Sequence, residues 1–329
     1  MINRKNWLDV KAFVEFQQTI NQVNPKTADV IYFRLVHLLE WAQETPFPKA
    51  MRIKPTFPAY VEGLRTTSGS LYSSGHLAGI FKTCRAFFVW ARYEYAGRYK
   101  HVDLNWIKSL RASRGRSEQA ELHKRELYTL DDVRRLVSVP AESLAERRLR
   151  AAVALLFLSG MRIGAFLTLP LECVDIQGRQ IMQLPSKGVH TKNSKAAVTF
   201  LLNIPDLLEV VEEWDTFLRQ KLPPEAYWYA HLDAWGELCE KQPIGDRAER
   251  RKDFRIALRG LCARAGVRYL SAHKFRHGHA VYALKQAKTP AQMKAISQNL
   301  MHSNMGITDG IYGRLVNDDV RDMIMGLGG

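Results

Sequence analysis

The stretch from Ser271 to Leu315 reads SAHKFRHGHAVYALKQAKTPAQMKAISQNLMHSNMGITDGIYGRL. His273 and Arg276 stand three apart, so on a helix they share one face. His302 opens a second polar element in LMHSN, and Tyr312 follows in a segment broken by Gly306, Gly310 and Gly313. Glycines flanking Ile311–Tyr312 suit a side chain carried on a movable piece rather than one set in a rigid core. A phenol among cations can be activated as a nucleophile, and the natural electrophile for a cationic pocket is a phosphodiester.

Outward from that stretch, the whole chain is strongly basic. Its 48 Lys and Arg against 33 Asp and Glu give a formal charge of +15 over 329 residues. Such an excess calls for a polyanionic partner, DNA being the commonest, or serves solubility. The longest apolar run, Ala151 to Leu158, falls far short of the roughly 20 residues needed to span a bilayer. The N-terminus MINRKNWLDVKAF has no apolar core of a secretory signal, so a cytoplasmic protein without membrane contact is expected. Cys84, Cys173, Cys239 and Cys262 are scattered, with no C-x-x-C; they read as reduced cysteines, and no metal or other cofactor is expected.

The length allows two domains. Apolar residues at three-and-four spacing predict helices over 7–22, 26–45, 56–66 and 73–97, punctuated by prolines and by the Thr66–Ser70 run. Trp7, Val10, Phe13, Val14 and Phe16 mark the first stripe, and Val30, Phe33, Leu35, Leu38, Leu39 and Trp41 the second. The fourth helix mixes an apolar stripe with Lys82, Arg85 and Arg92, followed by Arg98, so the expected unit has one basic face; Phe87, Phe88 and Trp90 read as core. From Lys108 to Arg125 the pattern dissolves into a basic, polar linker, able to follow a phosphate backbone or simply to be solvated.

Thr129 and Asp132 form a capping-box pattern for the next helix. A heavily apolar helix over 146–159 should end at Gly160, and a short helix starting at Arg162 should run to Pro170. Residues 180–185 and 197–202 read as two strands joined by a basic turn; helices are expected over 206–221, 247–265, 272–287, 289–300 and 316–325. The stretch 223–246 has no assignable pattern. The fold class is therefore mostly α with a small antiparallel β-sheet in the C-terminal half.

Taken together, His273-Lys-Phe-Arg276, Leu300-Met-His302-Ser-Asn and Ile311-Tyr312 resemble the C-terminal signature of the tyrosine recombinases, the group of the phage integrases and chromosome-dimer resolvases. Gly160-Met-Arg162-Ile-Gly-Ala-Phe-Leu-Thr-Leu and Thr191-Lys192-Asn-Ser-Lys195 are similar to that family's earlier arginine and lysine motifs, in the family's order. The resemblance implies a helical, SAM-like core-binding domain over 1–112, a linker over 113–127 and a catalytic domain over 128–329. It further implies conservative DNA strand exchange without a metal, through a 3′-phosphotyrosyl link that keeps the bond energy for rejoining. The implied partners are a double-stranded recombination site, a homotetramer assembled on it from monomers, and accessory DNA-bending or directionality factors. A type IB topoisomerase and a catalytically inactive DNA-binding relative are the alternatives.

Each implied role suits its residue type. Arg162 and Arg276 would neutralise the equatorial oxygens of the phosphorane, because the guanidinium fork matches two oxygens and stays charged. Three lysines crowd the turn, Lys187, Lys192 and Lys195; matching to the family's hairpin puts Lys192 in the role of acid for the departing 5′ oxygen. His273 would serve as acid, base or hydrogen-bond donor, and His302 as donor to a nonbridging oxygen. Tyr312 would be the nucleophile, its phenolate favoured by the clustered arginines. His277 and His279 read as structural. The family commonly carries an acidic residue three positions after the first arginine, where this chain has Ala165, so Arg162 must be held by something else. The spacing from His302 to Tyr312 is one residue longer than usual. The segment 316–329 could dock on a neighbour or pack on its own domain.

Overall fold

The structure, a computed structural model, describes residues 1–67, 69–113, 126–239 and 247–301. The chain divides into two compact units, Met1–Arg125 and Glu126–Gly329. Among the described residues no helix is long and apolar enough to cross a membrane.

The first unit holds helices α1 (Arg4–Thr19), α2 (Pro25–Ala42), α3 (Phe57–Gly63), α4 (Ser74–Glu94), α5 (Ala96–Tyr99) and α6 (Leu104–Ser109). Side chains set the starts: Asn3 accepts from the amides of Lys5 and Asn6, Asn24 precedes the N1 proline of α2, and Ser73 accepts from His76 N. Phe87 and Phe88 are fully buried, as their reading as core requires. Val30 and Phe33, placed on the buried stripe of α2 by their spacing, are instead 46% and 66% exposed. Leu35, Leu38, Leu39 and Ala42 cover the core face, and 30 and 33 fall on the other side of that helix.

The basic face also needs correction. Arg98 donates to both carboxylate oxygens of buried Asp9, at 3.0 and 2.7 Å, while Tyr99 adds a third bond at 2.6 Å. Arg85 donates to Leu110 O at 2.5 Å, and Arg92 to the carbonyls of Lys100 and Val102. Three of the four cations thus satisfy acceptors of their own unit; Lys82 is exposed. The Arg85 bond also draws Leu110, fully buried, into the core of the first unit, so helical structure reaches into what the sequence presented as the start of a linker.

The second unit is organised around α8 (Leu144–Ser159), ten of whose sixteen residues are buried. Before it stands α7 (Leu130–Ser138), whose Thr129–Asp132 capping box forms with both bonds present. A second box, Ser143–Glu146, opens α8 and is reinforced by Arg264, which donates to Glu146. Gly160 ends α8 at φ 60°, the left-handed conformation that glycine adopts without penalty.

The helix after Arg162, α9, spans only Ile163–Phe166 and stops short of Pro170. Thr168 explains the early end: its hydroxyl donates to the carbonyls of Gly164 and Ala165, competing with helical amides. The sheet has three antiparallel strands in the order β1 (Val174–Asp175), β2 (Gln180–Gln183) and β3 (Ala197–Phe200). Two were expected, and the two-residue β1 is too short to show a period. The register pairs Ile181 with Thr199 and Met182 with Val198.

Helix α10 (Pro205–Arg219) lays Leu207, Val211, Trp214 and Leu218 into the same core. Of residues 223–239, without pattern in the sequence, the segment around Ala226–Ala230 enters the core: Trp228 and Ala230 are fully buried and Tyr227 bridges to Pro170, while residues 233–235 are exposed. Trp228 Nε1 donates to Asp215 Oδ1 at 2.9 Å. Helices α11 (Arg247–Arg264), α12 (His273–Gln286) and α13 (Pro290–Asn299) complete the described unit. The expected helix over 316–325 lies outside the described residues.

Candidate active site

The site is built where the left-handed end of α8 meets the start of α12. Arg162 is the N-cap of α9, with extended backbone (φ −78°, ψ 139°), and its carbonyl accepts from the amides of Ala165 and Phe166 at 3.0 Å each. It is partly buried, and among the described residues no carboxylate pairs with it. Ala165 is 1% exposed and packed in the core, so a carboxylate at that position would be buried.

Arg276 is 2% exposed. Its Nη1 donates to Gly160 O at 2.8 Å and its Nη2 to Leu300 O. One guanidinium therefore ties together the carbonyl two residues before Arg162 and the carbonyl two residues before His302. A charge is costly in that position unless hydrogen-bonded and facing an anion. Here part of its bonding is architectural.

His273 is the first residue of α12 and keeps an exposed surface. Its imidazole is held below its ordinary range by desolvation first, then by the charges of Arg276, Arg162 and Lys274. The positive end of the helix dipole acts in the same direction. Arg162, His273 and Arg276, distant in sequence, are thus electrostatic neighbours. His277 stacks edge-on against His273 with centroids 4.8 Å apart.

Lys192 is exposed, at the head of a one-turn 3₁₀ segment between β2 and β3. Asn193 and Ser194 follow in left-handed backbone, at φ 59° and 50°. The loop is fastened beside the arginine turn by His190 N, which donates to Thr168 Oγ1 at 2.8 Å. Of the two alternatives to Lys192, Lys187 is engaged with Glu172 at 3.0 Å, while Lys195 is exposed. His302 and Tyr312 lie outside the described residues.

Two supports of the site carried little or no signal in the sequence. Tyr128 donates to Leu270 O and accepts from Leu270 N, both at 2.7 Å, and its ring stacks on Phe275 with centroids 4.2 Å apart. It thereby pins the helix bearing His273 and Arg276. Gly278 on that helix passes so close that a Cβ there would stand 1.9 Å from Tyr128 O. His279, read as structural, is 1% exposed, and its Nδ1–H donates to Phe157 O at 2.8 Å. Burial lowers its pKa to about 4. It packs under Gly160, where an added Cβ would meet His279 Cδ2 at 2.7 Å and Leu300 Cδ2 at 2.9 Å.

The chain is similar to known proteins. The family model described as the phage integrase family matches residues 126–318, more than half of the chain. The tyrosine recombinase XerD of Rhizobium meliloti (strain 1021) is 23% identical over 206 residues, spanning 60% of this chain and 59% of that protein. XerD of Rickettsia bellii (strain RML369-C) is 22% identical over 243 residues, spanning 71% and 72%. Among solved structures, a lambda integrase dimer bound to a COC′ core site is similar at a TM-score of 0.61 with 15% identity, covering 96% of this chain and 98% of that one. The Tn1549 transposon integrase in complex with transposon right end DNA gives a TM-score of 0.60 with 14% identity, covering 98% and 99%. The likeness in structure is one of fold, and the family match rests on sequence: the chain belongs to the phage integrase family of tyrosine recombinases.

Proposed function

We propose that this protein is a site-specific recombinase that cuts and rejoins double-stranded DNA through a 3′-phosphotyrosyl intermediate. The observation that carries the proposal is the convergence of Arg162, His273 and Arg276, linked through Gly160 and Leu300 to the segment that leads to His302 and Tyr312. In this reading the Tyr312 phenolate oxygen attacks the backbone phosphorus while the bond to the 5′ oxygen breaks. The phenolic proton passes to His273, whose lowered pKa keeps its ring neutral and able to accept it near neutral pH. Arg162 and Arg276 stabilise the charge that develops on the nonbridging oxygens, assisted by His302. Lys192 protonates the departing 5′ oxygen. Rejoining reverses these steps with a new 5′-hydroxyl, so strand exchange needs no external energy.

The first unit would be the core-binding domain, each unit would contact the duplex, and a tetramer would form on two sites. The direct test uses nicked suicide duplexes tiled across the DNA flanking the gene. The expected result is a covalent adduct that resists denaturation and is absent from Tyr312→Phe. Binding without adduct from any duplex points instead to an inactive relative. Relaxation of a supercoiled plasmid that lacks those flanking sequences points to a type IB topoisomerase.

A further inference from the structure

Beside the Arg162 turn stands an arginine that the motifs do not include. Arg251 lies in the first turns of α11, and its Nη2 is 2.5 Å from the point where a Cβ on Gly164 would stand, with Cζ at 3.6 Å. The guanidinium therefore rests over the backbone two residues beyond Arg162, in room that exists because residue 164 has no side chain. The His190 ring comes within 3.8 Å of the same point, and Lys192 is two residues further along that loop. Arg251 is exposed, and among the described residues it enters no ion pair or hydrogen bond.

Four other arginines of the unit are paired with carboxylates: Arg134 with Asp206, Arg219 with Asp215, Arg264 with Glu146 and Arg268 with Glu126. The turn under Arg251 supplies no such partner, since residue 165 is a buried alanine. A permanent cation left without a carboxylate beside the positively charged Arg162 turn is favoured when a polyanion lies across it.

We propose that Arg251 is a further DNA contact of the site, gripping a nonbridging phosphate oxygen at the mouth of the Arg162 turn. Gly164 is the clearance that lets the fork lie there. The fork can offer two parallel N–H donors to one phosphate, which a lysine cannot. This assignment rests on the DNA-cleaving reading above.

The test compares the wild type with Arg251→Ala, Arg251→Lys and Gly164→Ala. Binding to a duplex of about 30 base pairs and arbitrary sequence is measured as a function of salt, alongside single-turnover adduct formation on the cleavable duplex. Arg251→Ala should lower the slope of log affinity against log salt by about 0.9, the release expected from one phosphate contact. Affinity at moderate salt should fall about tenfold. Arg251→Lys should restore the slope and only part of the affinity. Gly164→Ala, which displaces the fork but keeps its charge, should weaken binding in the wild type and add little in the Arg251→Ala background. A merely structural role would shift the melting temperature and leave the slope alone. An unchanged slope and affinity in Arg251→Ala overturns the proposal. If the wild type forms no adduct while the slope still drops, the contact stands and the cleavage reading fails. If adduct forms and the slope is unmoved, the contact alone is refuted.

Discussion

Arg276 has an architectural duty that a substitution would expose. Replacing it by Ala leaves Gly160 O and Leu300 O without their buried donor, at about 3 kcal/mol of stability, or a fall on the order of 10 °C in Tm. Thermal unfolding of the variant checks this, and a melting temperature within about 2 °C of wild type would contradict the architectural role. Gly160→Ala should cost about 3 kcal/mol, from a left-handed residue and from overlap with the His279 ring. His279 itself sets a pH dependence. Above its ordinary pKa of 6.5 it is neutral in both folded and unfolded chains and has no effect. Below that, the unfolded chain takes up a proton that the folded chain refuses until about pH 4. Stability should therefore fall as pH drops from 6.5 to 4, by up to about 3 kcal/mol from this residue. His279→Gln should flatten that part of the profile in urea titrations, and an equal slope in both proteins would refute the assignment. Arg162, His273 and Arg276 stood out as candidates because their motifs occur together in one order, and the structure makes these three neighbours. Tyr128 did not: an aromatic ahead of a helix has many uses, and only the stack on Phe275 singles it out.

At the scale of elements, the helices were legible and the joints between them were not. Caps and apolar periods are local, so the Thr129 and Gly160 boundaries followed from a few neighbouring residues. The short elements failed that test. The α9 helix ends at Phe166 because a hydroxyl one turn on captures its carbonyls, and β1 exists because β2 is there to pair with it. One joint yields a prediction. Asn299, last residue of α13, accepts from Phe200 N at 2.7 Å and donates to Phe200 O at 3.0 Å, completing the outer edge of β3 with a side chain. Asn299→Ala should cost about 1–2 kcal/mol and speed hydrogen exchange at the Phe200 amide. Because β3 follows the Lys192 loop and α13 precedes His302, adduct formation should also slow. Unaltered exchange at Phe200 would show that the bond is not maintained in solution.

For the molecule as a whole, the +15 charge predicts binding dominated by phosphate contacts. With about 6–10 such contacts, affinity for duplex DNA should fall roughly 10³- to 10⁵-fold between 50 and 200 mM salt; a nearly flat dependence would exclude this mode. The charge count does not say which cations are available. Three arginines of the expected basic face serve Asp9 and the carbonyls of Leu110, Lys100 and Val102. The sequence by itself determined the mostly helical class and the order of the motifs. These depend on residue type and short spacing, both complete in the linear chain. Only the tertiary structure decided that Arg276 joins the Gly160 turn to Leu300, that Ala226 and Trp228–Ala230 belong to the core, and that Arg251 lies over Gly164. Each of these depends on contacts between segments far apart along the chain, for which no local periodicity exists to be read.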